Sequence, residues 1–114
     1  MEQQQTTRQQ KIARQIQRDI AEILQKDLAD TIRGKLVTVT TVRVSPDLAY
    51  AKIYVSVFPF DQSSAMLEAI KERAWLVRKL LGARIRNQLK IVPELEFFID
   101  DSLEYIENID NLLK

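Results

Sequence analysis

The chain has no cysteine and no histidine. Thiol and imidazole nucleophiles, the usual zinc ligand sets and the commonest general base near neutral pH are all missing, which removes most enzyme classes. The lack of cysteine also fits a reducing compartment. No apolar run approaches the length of a membrane span, and the polar start MEQQQTTRQQ has none of the apolar core of a secretory signal. A cytoplasmic protein is expected. With 114 residues, the expectation is one domain, 1–114, large enough to bury a core without metals or disulfides.

Net charge is also scarce, at +1, but its distribution is uneven. Between Lys71 and Lys90 stand Lys71, Arg73, Arg78, Lys79, Arg84, Arg86 and Lys90 against one acid, Glu72. From Glu94 to Asp110 the chain carries Glu94, Glu96, Asp100, Asp101, Glu104, Glu107 and Asp110 and no base. A molecule with a positive and a negative end is implied, and such a distribution orients a protein on a charged partner.

Within the cationic stretch Met66, Ile70, Ala74, Val77, Leu81, Ile85 and Leu89 recur at helical spacing, so one stripe faces a core. At about 100° per residue, Lys71, Trp75, Arg78, Lys79, Arg86 and Lys90 fall on the opposite half, with Arg73 and Arg84 nearer the edge. Such a face can neutralise phosphates by counterion release, and an interleaved aromatic can stack a base. These six residues are therefore candidates for binding RNA. The plainer alternative is a solvated helix, with Trp75 covering a neighbour as most tryptophans do.

Residues 1–6 are expected to fray, and Thr7-Arg8-Gln9-Gln10 fits a capping box that opens a helix. Ile12, Ile16, Ile20, Ile23, Leu24 and Leu28 form its buried stripe. Arg8, Lys11, Arg14 and Arg18 rise along a neighbouring line, a second candidate RNA contact or an ordinary solvated face. Gly34 marks a turn, after which the period becomes strand-like. Val37, Val39, Val42 and Val44 shift parity at Thr40-Thr41, predicting a β-bulge. Ser45-Pro46-Asp47-Leu48 predicts a tight turn, and Ala51, Ile53, Val55 and Val57 a second strand antiparallel to the first.

Pro59 ends that strand, and a helical pattern then runs from 65 to 90, long enough that a compact domain must bend it. Ile91-Val92-Pro93 stops it, and Leu95, Phe97 and Ile99 alternate as a third strand. A closing acidic helix over 102–114, capped by Asp101 or Ser102, completes the order and is expected to face away from phosphate. The result is an α+β domain, a three-stranded sheet with helices on one face.

Val39 to Val44 followed by Ser45-Pro46-Asp47-Leu48-Ala49-Tyr50-Ala51-Lys52-Ile53-Tyr54-Val55-Ser56, then Val77-Arg78 with Leu81-Gly82, Ile91-Val92-Pro93-Glu94-Leu95-Glu96-Phe97 and Asp100-Asp101-Ser102, resembles the ribosome-binding factor A family of bacterial small-subunit assembly factors. The resemblance spans nearly the whole chain. It implies a type II KH-like domain, α-β-β-α-(kink)-α-β, to which this chain adds a C-terminal helix, with an Ala-x-Gly kink in place of the usual KH GxxG loop. Aligned through Val77-Arg78 and Leu81-Gly82, the kink falls at Arg73-Ala74-Trp75, where there is no glycine. A bend at Gly82 is the other placement; the first is preferred, since the second leaves a short last helix. The family's role implies binding to the small (30S) ribosomal subunit and its rRNA late in maturation, helping precursor rRNA ends to be processed, without catalytic residues, cofactor or metal, and as a monomer.

Two rival readings remain in the residues. Asp100, Asp101 and Glu104 could hold Mg²⁺ through oxygen ligands, although carboxylates there also suit a helix N-terminus. Phe58, Phe60, Tyr50 and Tyr54 could form an apolar patch, making the chain a protein-protein interaction module without RNA binding.

Overall fold

A computed structural model describes residues 5–102 of the protein. The expected closing helix beyond Ser102, Glu104 included, lies outside the described residues. The first helix, α1 (Thr7–Lys26), is capped one residue earlier than the sequence suggests. Thr6 is the N-cap; its Oγ1 accepts from the Gln9 amide at 3.1 Å while Gln9 Oε1 accepts from the Thr6 amide at 2.9 Å. The register has a tertiary cause. With Thr6 as cap the third helical residue is the buried Gln9, whose Nε2 donates to Val44 O at 2.9 Å. Gln5 Nε2 reaches the same carbonyl at 3.0 Å, so neither Gln5 nor Thr6 frays as expected.

The buried stripe of α1 runs through Ile16, Ile20, Ile23 and Leu24 to Leu28, with Ile12 partly buried. An unexpected single turn, α2 (Ala29–Ile32), follows, because Leu28 and Ile32 one turn apart both reach the core. Gly34, at φ +80°, then reverses the chain in a conformation that favours glycine.

Strands β1 (Leu36–Val44) and β2 (Tyr50–Phe58) pair antiparallel, with the predicted register shift between Val39 and Thr41. Thr40 is the extra residue of the bulge. It keeps Val37, Val39, Val42 and Val44 on the core side of the strand despite their change of parity. In the connecting turn Ser45 Oγ donates to Asp47 Oδ1 at 2.7 Å and Asp47 Oδ1 accepts from the Ala49 amide at 3.0 Å. These bonds, from Ser45 first, hold the Asp47 carboxyl below its usual range. They brace Leu48 at φ 62°, a left-handed conformation unfavourable for a side-chain-bearing residue by about 1–2 kcal/mol.

The third strand, β3 (Glu94–Ile99), lies beside β2 and parallel to it, giving the order β1-β2-β3. Parallel neighbours need a crossover, and two helices supply it: α3 (Ser63–Glu72) and α4 (Ala74–Ile85). The bend between them is at Arg73, φ −108° and ψ 13°, which is the preferred placement. Gly82 sits inside α4. Its role there is close approach, since a Cβ would stand 2.9 Å from Val92 Cγ2.

α4 ends at Ile85, five residues before the end of the predicted helical pattern at Lys90. Leu89 is still buried, but it gets there through a turn closed by the Gln88 and Leu89 amides on Ile85 O. Segment 86–93 then doubles back along α4 to feed β3. One core joins Ile16 and Ile20 of α1, Ile53 and Val55 of β2, Val77 and Leu81 of α4 and Phe97 of β3, with Leu95 and Ile99 packed against it. The helices cover one face of the sheet. This is the helix–strand–strand–helix–helix–strand order of a type II KH-like α+β domain.

Candidate nucleic-acid interface

The single cationic face read from the sequence is divided by the fold into parts with different work. Lys71 is on α3, before the bend, and stands 3.9 Å from Glu68. Arg78 does not project freely, contrary to the helical-wheel expectation. Its Nε donates to Pro93 O at 3.1 Å and its Nη2 to Val92 O at 2.8 Å, with Glu94 Oε1 3.7 Å away. Because 86–93 folds back along α4, carbonyls with no strand partner arrive over this residue, and a guanidinium with several donors satisfies two of them. Arg78 is a strut first.

Arg84 is a second strut. Its Nη1 donates to Glu22 Oε2 at 2.7 Å and lies 3.5 Å from Asp19 Oδ1, tying α4 to α1. Asp19 is buried in α1 and also accepts from Gln15 at 3.0 Å. The hydrogen bond from Arg84 is the main cause holding the Glu22 carboxyl below its usual range. Nothing in the linear sequence separates Arg78 from the other bases of its face, and the helical wheel sets Arg84 apart only by placing it nearer the edge. Their partners arrive only through chain reversal and helix pairing.

Lys79, Arg86 and Lys90 are exposed and make no ion pair among the described residues. Arg8, Lys11, Arg14 and Arg18 are likewise exposed along α1. Arg8 meets Arg86 and Lys90 at one concave site of about 500 Å³, whose floor includes Leu48, Ala49 and Leu89. That convergence was invisible in the sequence, where Arg8 and Arg86 belong to separate lines. Three cations around one hollow can hold phosphate oxygens by charge, whereas the scattered bases of a solvated face neutralise less per site. Asp47 at its rim is already engaged by Ser45 and Ala49.

Trp75 is 66% exposed, so it does not cover a neighbour. It borders a second groove of about 480 Å³, between α4 and the 92–95 stretch, together with Arg78, Lys79 and Glu94. The two hollows lie toward opposite ends of α4. Trp75 and Arg86 are eleven positions apart, about 16 Å along a helix.

The aromatics of the rival reading are spaced along β2, where Tyr50, Tyr54 and Phe58 share the outer face, and do not pack together as one cluster. Tyr54 stacks on Phe98 of β3, ring centroids 5.3 Å apart, on the sheet face away from the helices. Phe58 packs edge-on against Phe60 at 5.4 Å, while Tyr50 begins the same strand eight positions away, about 27 Å. As for Mg²⁺, Asp100 is committed within the protein. Its Oδ1 accepts from Ser102 Oγ at 2.6 Å and the Ser102 amide at 3.0 Å, and its Oδ2 from Thr40 Oγ1 at 2.7 Å. These bonds, Ser102 foremost, hold its carboxyl below the usual range.

The described residues contain no helix long and apolar enough to cross a membrane. Compared with known proteins, the chain matches the family model for ribosome-binding factor A over residues 8–113. It is 39% identical over 108 residues to ribosome-binding factor A of Cytophaga hutchinsonii, covering 95% of this chain and 81% of that protein. It is 44% identical over 109 residues to ribosome-binding factor A of Flavobacterium psychrophilum, covering 95% and 84%. Among solved structures it is similar to the crystal structure of Thermus thermophilus ribosome-binding factor A, with TM-score 0.69 and 25% identity over 80% of this chain and 94% of that one. A homology model of the Thermus thermophilus factor, fitted into the cryo-EM map of a 30S complex, is similar with TM-score 0.63 and 27% identity, covering 78% and 91%.

Proposed function

This chain belongs to the ribosome-binding factor A family, and from that premise we propose that it binds the small (30S) ribosomal subunit and its rRNA during late maturation and promotes processing of precursor rRNA. It acts in the cytoplasm as a single-domain monomer, by binding and remodelling, with no catalytic residue, cofactor or metal. The observation that carries the RNA-binding surface is the convergence of Arg8 from α1 with Arg86 and Lys90 beyond α4 around one hollow. Lys79 and Trp75 extend that surface along α4, and Lys11, Arg14 and Arg18 extend it along α1. Lys71 and Arg78 stand at its margin, the latter mainly holding the fold. The rival interaction-module reading has less support, because its aromatics are strung along the outer face of β2 and its end instead of forming one packed cluster.

Co-sedimentation with purified 30S precursors, mature 30S subunits and 70S ribosomes tests the assignment. Preferential capture by the precursors, falling steeply as salt rises, is the expected result. Equal and salt-insensitive sedimentation with all three would overturn it.

A further inference from the structure

The groove beside Trp75 differs in chemistry from the three-cation hollow at the other end of α4. Its walls include the exposed indole of Trp75 and the cations Arg78 and Lys79, yet it also contains the carboxylate of Glu94, whose side chain is 64% exposed. A carboxylate repels phosphate at contact distance, and whereas Asp47 beside the other hollow already accepts from Ser45 and Ala49, Glu94 accepts no side-chain hydrogen bond among the described residues. An indole face and a carboxylate together fit a nucleobase, the first by stacking and the second by accepting N–H bonds from its edge. The volume, about 480 Å³, is within the range that takes a small organic ligand, about 300–1,000 Å³. Arg78 does not neutralise the acid fully, because its closer contacts are the Val92 and Pro93 carbonyls.

We propose that this groove seats one unpaired guanine of the bound RNA, with its face on Trp75, the adjacent phosphate on Lys79 and its Watson–Crick edge on Glu94. The inference rests on the RNA-binding reading and adds base selectivity to it. Guanine alone among the four bases offers two neighbouring N–H donors on that edge, from the ring nitrogen and the exocyclic amine, and so can bond both carboxylate oxygens. Adenine and cytosine offer an exocyclic amine beside an acceptor nitrogen. Uracil places carbonyl oxygens on both sides of its single N–H, where a carboxylate repels them.

Trp75 is the only tryptophan in the chain, so its fluorescence reports the groove without a label. The 114-residue protein is titrated with a uridine hexamer and with the same hexamer carrying one central guanosine, at fixed salt. The guanosine hexamer is expected to quench Trp75 and to bind about tenfold tighter, the scale of a bidentate base contact. In Glu94→Gln that preference falls to less than about twofold, since an amide offers one acceptor instead of two. Salt-dependent binding of both hexamers with equal affinity and unquenched fluorescence would overturn the guanine site while leaving RNA binding intact. If neither hexamer binds and 30S capture is also absent, the RNA reading itself fails. The wild-type titration decides the selectivity even if the Glu94 variant folds poorly.

Discussion

At the scale of single residues, the same side chain type has opposite roles a few positions apart. Arg78 and Lys79 are neighbours in α4, but the first donates to two backbone carbonyls and the second faces solvent. Arg78→Ala is expected to lower unfolding stability by about 1–3 kcal/mol, the cost of leaving charged-donor hydrogen bonds unmade. Lys79→Ala should stay within about 0.5 kcal/mol, as surface changes do. Urea melts of the two variants check this, and equal midpoints would show that Arg78 is no strut. Gly82 gives a sharper case. Alanine should favour an exposed helix interior over glycine by about 0.8–1 kcal/mol, yet here its Cβ would press on Val92, a stiff β-branched residue. Gly82→Ala should therefore destabilise the protein, and in a Val92→Ala background the same change should become stabilising. A double-mutant cycle measures that reversal of sign.

At the scale of elements, side chains from one piece of secondary structure satisfy the backbone of another. Gln9 joins α1 to the end of β1 through Val44 O, and Gln17 Nε2 reaches Val39 O at 3.1 Å beside the bulge. Gln5, which as sequence is expected to fray, thus helps Gln9 hold a sheet edge. Where β3 ends, Asp100 joins it to the bulge of β1 through Thr40. The bonds from Ser102 and Thr40 depress the Asp100 pKa in the folded state. A depressed carboxyl contributes stability that is present above its unfolded value, about 3.9, and is lost as pH falls through the folded value. Thr40→Val should accordingly be less stable than wild type at neutral pH, with the gap closing as pH drops below about 4. Thermal melts from pH 7 to pH 2 follow it; a gap that widens in acid would reverse the assigned sign.

For the whole molecule, the important property is where charge is left unsatisfied after folding. Arg84 is consumed by α1 and Arg78 by the 92–93 carbonyls, whereas Arg8, Arg86 and Lys90 are gathered at one hollow without ion pairs among the described residues. Replacing these three by Ala should flatten the slope of log K against log salt for subunit binding by about 2–3, at roughly 0.7–0.9 per phosphate contact. The circular dichroism spectrum should be unchanged, because all three are exposed. An unaltered slope with a native spectrum would remove the hollow from the RNA surface. The corresponding double reversal of Arg78 and Arg86 is a poorer experiment, since its first member also weakens the fold.

The periodicities by themselves determined α1, the hairpin with its bulge at Thr40, the bent crossover and β3, because burying one face of each element requires those apolar spacings. Local sequence also carried the family resemblance, since the turn after β1 and the strand after Pro93 are contiguous stretches. It could not determine that β3 runs parallel to β2, that α4 stops at Ile85, or that Thr6 and not Thr7 caps α1, for each depends on a partner distant in the chain. The basic residues show the same division most clearly. A helical wheel sorts them by angle alone, and angle says nothing about which carbonyl or carboxylate a returning segment will bring within 3 Å or so, the reach of a hydrogen bond. Only packing decided that Arg78 and Arg84 hold the protein together while Arg8, Arg86 and Lys90 meet.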